Sequence, residues 1–131
     1  MKIYLAGAID KVSPEFATGW RKYAAEQLTG CEILDPTGKI GGTYEPAEVV
    51  EPDLAMIKQA DIVLAEISRD DIPYHGTSME IAYAYIWNKT IYVWGGCKSY
   101  WVRYHADEVF DTLDEALNRL TGKTAYIPGG F

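Results

Sequence analysis

Short apolar runs alternate with helical stretches along most of the chain, and this alternation restricts the fold more than any other feature of the sequence. Ile3-Tyr4-Leu5-Ala6, closed by Gly7, has the continuous apolar character of a strand buried on both faces of a parallel sheet. Ser13-Pro14 then supplies an N-cap with Pro at the first helical position, and Phe16, Trp20, Tyr23, Ala24 and Leu28 follow at helical spacing towards Gly30. Cys31 to Leu34 predicts a second short strand, ended by Asp35-Pro36 and a Gly-containing loop from Thr37 to Pro46 without periodicity. A helix carrying Val49, Val50, Leu54, Ile57 and Ala60 leads into Ile62 to Ile67, the clearest strand pattern, and then a polar loop from Ser68 to His75. Gly76-Thr77-Ser78-Met79-Glu80 opens a helix, and Thr90 to Trp94 is a fourth strand stopped by Gly95-Gly96. Tyr100 to His105 has no pattern that assigns it, and Val109-Phe110 suits a short fifth strand. Thr112-Leu113-Asp114-Glu115 is a capping box for a last helix through Leu120, and the segment from Thr121 onward reads as irregular. Right-handed crossovers between such strands place helices on both faces of an open, doubly wound parallel sheet, a three-layer α/β/α fold of about five strands.

The chain of 131 residues has room for one domain. Nineteen Asp and Glu against twelve Lys and Arg give a net charge of -7, so there is no general basic surface for a nucleic-acid polymer or an anionic membrane. No apolar stretch approaches the ~20 residues of a membrane span, and Met1-Lys2-Ile3 starts a strand at once, without a leader pattern. Cys31 and Cys97 stand 66 positions apart without metal-ligand spacing and read as small apolar fillers in a reducing, cytoplasmic compartment. Ten Tyr and four Trp exceed what packing favours, because each buried ring carries a polar atom that needs a partner; a binding site or a subunit interface would use them.

In a doubly wound sheet the ligand crevice lies beyond the carboxyl ends of the strands. The candidate segments are therefore Gly7 to Asp10, Asp35 to Tyr44, Ser68 to His75, and Gly95 onward. None carries a Gly-rich phosphate signature; Thr121-Gly122-Lys123-Thr124 only mimics one, since a helix precedes it and Leu117 replaces the first Gly. No activated Ser or Cys nucleophile is legible either, which leaves carboxylate chemistry. Glu80, placed in the first turn of its helix, would be held ionised by helix-end amides and act as a nucleophile. The same Thr77-Ser78-Met79-Glu80 spacing also fits a capping box in which Glu80 merely binds the cap amide. Asp53 is open to a plain reading as a solvated helix charge, and Asp35 before Pro36 to one as a turn residue.

Taken in order, Lys2-Ile3-Tyr4-Leu5-Ala6-Gly7, Asp35-Pro36, Asp53-Leu54-Ala55-Met56-Ile57 with Ala60-Asp61-Ile62-Val63-Leu64, and Gly76-Thr77-Ser78-Met79-Glu80-Ile81-Ala82-Tyr83-Ala84 resemble the nucleoside 2-deoxyribosyltransferase family. The resemblance implies a flavodoxin-like sheet, no metal or cofactor, and a site completed by a neighbouring subunit of a homo-oligomer. It implies Glu80 as the nucleophile on the anomeric carbon of a 2'-deoxynucleoside, Tyr4 as the hydroxyl that orients it, and Asp53 as proton donor to the departing base. Gly7, Asp35, Gly76, Ser78 and Met79 fall in the matching substrate-binding segments. One position departs from the nucleoside-specific pattern: Tyr74 stands six residues before Glu80, where those members carry aspartate, with Asp70 and Asp71 nearby. In the related 2'-deoxynucleoside 5'-monophosphate N-glycosidases that position is not acidic, and His75, Arg69 or a partner subunit's Arg103 would then meet a phosphate. The aromatic run Tyr100 to His105 suits a subunit contact, and Tyr126 to Phe131 a C-terminal segment folded over the site. Base exchange between deoxynucleosides, hydrolysis of a monophosphate and a non-catalytic nucleotide-binding module are the three readings that result.

Overall fold

The computed structural model describes residues 1–40 and 42–122; the C-terminal segment Tyr126 to Phe131, expected to fold over the site, lies outside them. Five strands, β1 (Lys2–Ala6), β2 (Glu32–Leu34), β3 (Ile62–Glu66), β4 (Thr90–Trp94) and β5 (Glu108–Phe110), form one sheet in the order β2-β1-β3-β4-β5. Every pairing is parallel, with Tyr4 level with Leu34 on one side and Val63 on the other. The helices are α1 (Pro14–Gln27), α2 (Pro46–Gln59), α3 (His75–Ile86), α4 (Tyr100–His105) and α5 (Leu113–Thr121), and the order of elements is the alternation read from the sequence.

Strand side chains alternate between two cores, as the period of two demands. Ile3, Leu5, Ile62, Leu64 and Trp94 pack with Trp20 and Ala24 of α1, Leu28 just after it, and Leu113 and Leu117 of α5. Tyr4, Ala6, Val63, Ala65, Ile91 and Val93 face the other way, onto Ile57 of α2, Ile81 and Ala84 of α3 and Val102 of α4.

Three local features differ from the sequence reading. Tyr100 to His105, unassigned there, is a short helix capped by Ser99 Oγ; a single turn and a half with one buried residue, Val102, has no period to read. The segment Thr37 to Pro46 opens with a 3-10 turn at Pro36–Lys39. The helix expected to open at Gly76 begins at His75, after Tyr74 in the left-handed region at φ 51°.

Candidate active site

The carboxylate singled out in the sequence sits in the second turn of α3, because the helix begins at His75. Thr77 lies inside the helix and is buried, so it cannot be an N-cap, and the capping-box reading of Glu80 fails. The partner of Glu80 is instead Tyr4, whose hydroxyl donates to Glu80 Oε2 at 2.5 Å from the facing strand. Tyr4 is fully buried and reaches Glu80 because its position in β1 points towards the α2–α3 layer.

The expectation that helix-end amides hold Glu80 ionised is also corrected. Burial pushes its carboxyl up to about 7; the Tyr4 hydroxyl opposes this, the charge of Asp53 adds to it, and Arg21 opposes it. Burial and the adjacent Glu80 drive the Tyr4 hydroxyl far above its ordinary range, so it stays a proton donor.

Asp53 is half-buried on α2. Burial holds its carboxyl above the usual carboxylate range against the pull of Lys39 and Arg21. Its charge acts on both Tyr4 and Glu80, so the three lie within electrostatic reach of one another. Lys39 is delivered there by a backbone irregularity. Pro52 stands inside α2 and has no N–H for the Glu48 carbonyl one turn back, and the Lys39 ammonium donates to that carbonyl instead.

Asp35 caps the 3-10 turn, accepting from Thr37 N at 2.9 Å and Thr37 Oγ1 at 2.6 Å, and lies 4.0 Å from Arg21 Nε. Gly7 is confined: a Cβ there would stand 3.0 Å from Glu66 and from Trp20. Tyr74 points inward, its hydroxyl donating to Glu66 and accepting from Ser68 N and Arg69 N at 3.3 Å. Burial and that carboxylate push the phenol up to about 12. His75, Gly76, Ser78 and Met79 are exposed along the start of α3. Asp71 is taken up by a two-pronged pair with Arg69, at 2.9 and 2.6 Å, and Asp70 is exposed.

Two candidates are not brought to this cluster within the protomer. His105 lines a cavity at the opposite end of the sheet, with Thr90, the first residue of β4, and Tyr85, Asn88 and Asp107. Arg103 is exposed on the same short helix, α4. Sequence reasoning passed over Arg21, Glu66 and Lys39. The first two left a signal: Arg21 falls on the apolar stripe Ala17, Trp20, Ala24 of α1, and Glu66 interrupts the apolar run Ile62 to Ile67.

The sequence model of the nucleoside 2-deoxyribosyltransferase family matches residues 3–116, a span that contains the whole Tyr4–Asp53–Glu80 cluster. The chain belongs to that family. No curated protein matches it by sequence. Among solved structures, a 2-desoxiribosyltransferase from Leishmania mexicana is similar with a TM-score of 0.72 at 18% identity, over 95% of this chain and 99% of that one. A CMP N-glycosidase, BcmB, from Clostridium botulinum gives 0.64 at 20% identity, over 92% and 98%. A conserved protein from Enterococcus faecalis V583 gives 0.71 at 12% identity, over 93% and 98%. At these identities the likeness is one of fold.

Proposed function

We propose that this protein is a deoxyribosyltransferase that cleaves the N-glycosidic bond of a 2'-deoxynucleoside through Glu80 and transfers the sugar to another base. The observation that carries the reading is the Tyr4 hydroxyl on Glu80 Oε2, which holds one carboxylate oxygen and leaves Oε1 to react. Ionised Glu80 attacks the anomeric carbon as the carbon–nitrogen bond breaks, forming a deoxyribosyl ester. The departing base takes a proton from Asp53, whose carboxyl is held above its usual range and so retains a proton more readily. An incoming base then returns its proton to Asp53 and attacks the same carbon, restoring the Glu80 carboxylate.

The reading also includes a homo-oligomer whose neighbouring subunit completes the site. Tyr100, Trp101 and Tyr104 on α4 and Met79, Tyr83 and Ile86 on α3 are exposed apolar side chains on the layer that carries Glu80.

Incubation with thymidine and adenine is expected to yield deoxyadenosine and thymine, and Glu80→Ala to abolish both. Release of neither product would sink the proposal. A second reading, hydrolysis of a 2'-deoxynucleoside 5'-monophosphate, is favoured by Tyr74, which puts no carboxylate six residues before Glu80, with His75 at the start of α3 and Arg69, paired with Asp71, in the loop before it. It agrees with the fold shared with a CMP N-glycosidase. Preference for thymidine 5'-monophosphate over thymidine, with water as acceptor, would select it. A 2-fluoro-2-deoxy nucleoside that leaves no adduct on Glu80 would argue instead for a binding module without turnover.

A further inference from the structure

Arg21 and Glu66 are charged side chains with no exposed surface, and neither has a part in the chemistry proposed above. Burying a charge is unfavourable unless its hydrogen-bonding capacity is met, so the partners of these two groups indicate what they do. Arg21 donates from Nε to the Leu5 carbonyl at 3.1 Å, from Nη1 to the Ala17 carbonyl at 2.7 Å, and from Nη2 to the Gly7 carbonyl at 3.1 Å. Glu66 Oε1 accepts from Ala8 N at 3.1 Å. Glu66 Oε2 accepts from Ser68 N at 3.0 Å, Ser68 Oγ at 2.7 Å and the Tyr74 hydroxyl.

The Gly7 carbonyl and the Ala8 N–H are the two ends of one peptide unit. A buried cation holds one end and a buried anion the other, so the unit cannot rotate without losing a charge-assisted bond at each side. Through its second oxygen the same Glu66 also ties down the loop that leads into α3, the helix of Glu80. The strand alternation places Glu66 in line with Ile62 and Leu64, on the α1–α5 side, whereas Tyr4 faces the α2–α3 side. The two loops at the mouth of the crevice are therefore held from behind the sheet.

We propose that Arg21 and Glu66 are positioning residues of the Glu80 site, which fix the Gly7–Ala8 peptide and the loop before α3 in place before substrate arrives. This rests on the reading of Glu80 as the reacting carboxylate. Preorganisation of this kind acts on turnover, because a misplacement of about 1 Å lowers a rate by about 100-fold. Tyr4 from β1 donates to Glu80, and the charges of Asp53 from α2 and Arg21 from α1 act on it. Arg21 therefore has an electrostatic effect on Glu80 that Glu66 lacks, and the two residues have different pH signatures.

The test uses the full chain with thymidine or thymidine 5'-monophosphate, whichever the wild type turns over, and compares Glu66→Gln, Arg21→Met and Arg21→Lys. Gln can accept from Ala8 or from the Ser68 and Tyr74 donors but not from both, and one ammonium cannot span the three carbonyls that Arg21 binds. Glu66→Gln and Arg21→Met are expected to lower kcat by about 30-fold or more with KM changed by less than about threefold. The acid limb of the pH profile moves to higher pH in Arg21→Met, and stays in place in Glu66→Gln and Arg21→Lys. Hydrogen exchange at the Ala8 amide accelerates by about tenfold or more in Glu66→Gln. Tyr74→Phe, which removes one donor to Glu66 and the acceptor shared by Ser68 N and Arg69 N, gives the same pattern at smaller amplitude and serves if Glu66→Gln does not fold. A kcat within about threefold of wild type in both Glu66→Gln and Arg21→Lys, or unchanged Ala8 exchange, overturns the proposal. An inactive wild type with slow Ala8 exchange would instead place the failure in the reading of Glu80, which is a distinct outcome.

Discussion

At the scale of single residues, the Glu80 carboxyl gives a stability prediction whose sign differs from that of an ordinary ion-paired carboxylate. Its folded pKa of about 7 lies above the ordinary value of 4.5, so the folded state binds this proton more tightly than the unfolded chain does. The group costs nothing below about pH 4.5, costs progressively more as the pH rises, and reaches its full cost above about 7. At about 1.4 kcal/mol per unit the ceiling is about 3 kcal/mol. Glu80→Gln keeps an acceptor for Tyr4 and removes both the buried charge and its repulsion with Asp53. It is therefore expected to be more stable than wild type by roughly 1–3 kcal/mol at pH 8 and equal to it near pH 4.5, as read by denaturant unfolding at the two pH values. A less stable variant at pH 8 would contradict a net cost of burying this carboxylate. The ordered motifs single out this residue, but they do not show its environment. Glu80 meets Tyr4, 76 positions away, across a strand–helix contact that no local spacing encodes. The local rule that did apply, the capping box at Thr77, lost to a helix start two residues earlier, at His75.

At the scale of elements, α2 shows how a local defect is put to use. Pro52 in the helix interior forfeits the bond to the Glu48 carbonyl, which then receives Lys39 and places a positive charge where it acts on Asp53. Pro52→Ala restores an N–H that competes for this carbonyl. The expected result is a helix stabilised by about 1–3 kcal/mol, seen as a higher melting temperature. Release of Lys39 also removes the leading influence that lowers the Asp53 carboxyl, so its titration in carbon-detected NMR is expected to move to higher pH. A titration unchanged by Pro52→Ala would separate Lys39 from Asp53. Apolar spacing read α2 correctly as a helix, because Val49, Val50, Leu54 and Ile57 keep their period through the proline. What spacing cannot show is which partner takes an orphaned carbonyl, since Lys39 comes from the preceding 3-10 turn. The same limit applies to Glu66 and Arg21, visible only as charges in apolar patterns until their shared peptide is seen.

At the scale of the whole molecule, parallel order and two-faced burial followed from the alternation of strands and helices, because crossovers of one hand leave few other ways to cover a sheet. The distribution of exposed aromatic surface did not follow, since a run such as Tyr100-Trp101-Val102-Arg103-Tyr104-His105 has no amphipathic period. In the fold its rings stand on one layer: Tyr100 is 84% exposed, Trp101 80% and Tyr104 71%, and Met79 and Ile86 are exposed on α3 of the same layer. The opposite layer, α1 and α5, shows no large exposed apolar side chain among the described residues. This asymmetry matches a chain that buries one face against copies of itself, for which a stable pair needs about 800 Å² from each partner. Sedimentation velocity of the wild type is expected to give a dimer or larger species. Trp101→Glu with Tyr104→Glu is expected to give a monomer of 14.6 kDa with unchanged far-ultraviolet circular dichroism. Because Glu80 projects from the same layer, dissociation should also reduce base exchange, and that loss should be reversed partly by raising the protein concentration of the single Tyr104→Glu variant. A monomeric wild type with full activity would show that one chain builds the site alone and that the aromatic face serves another partner.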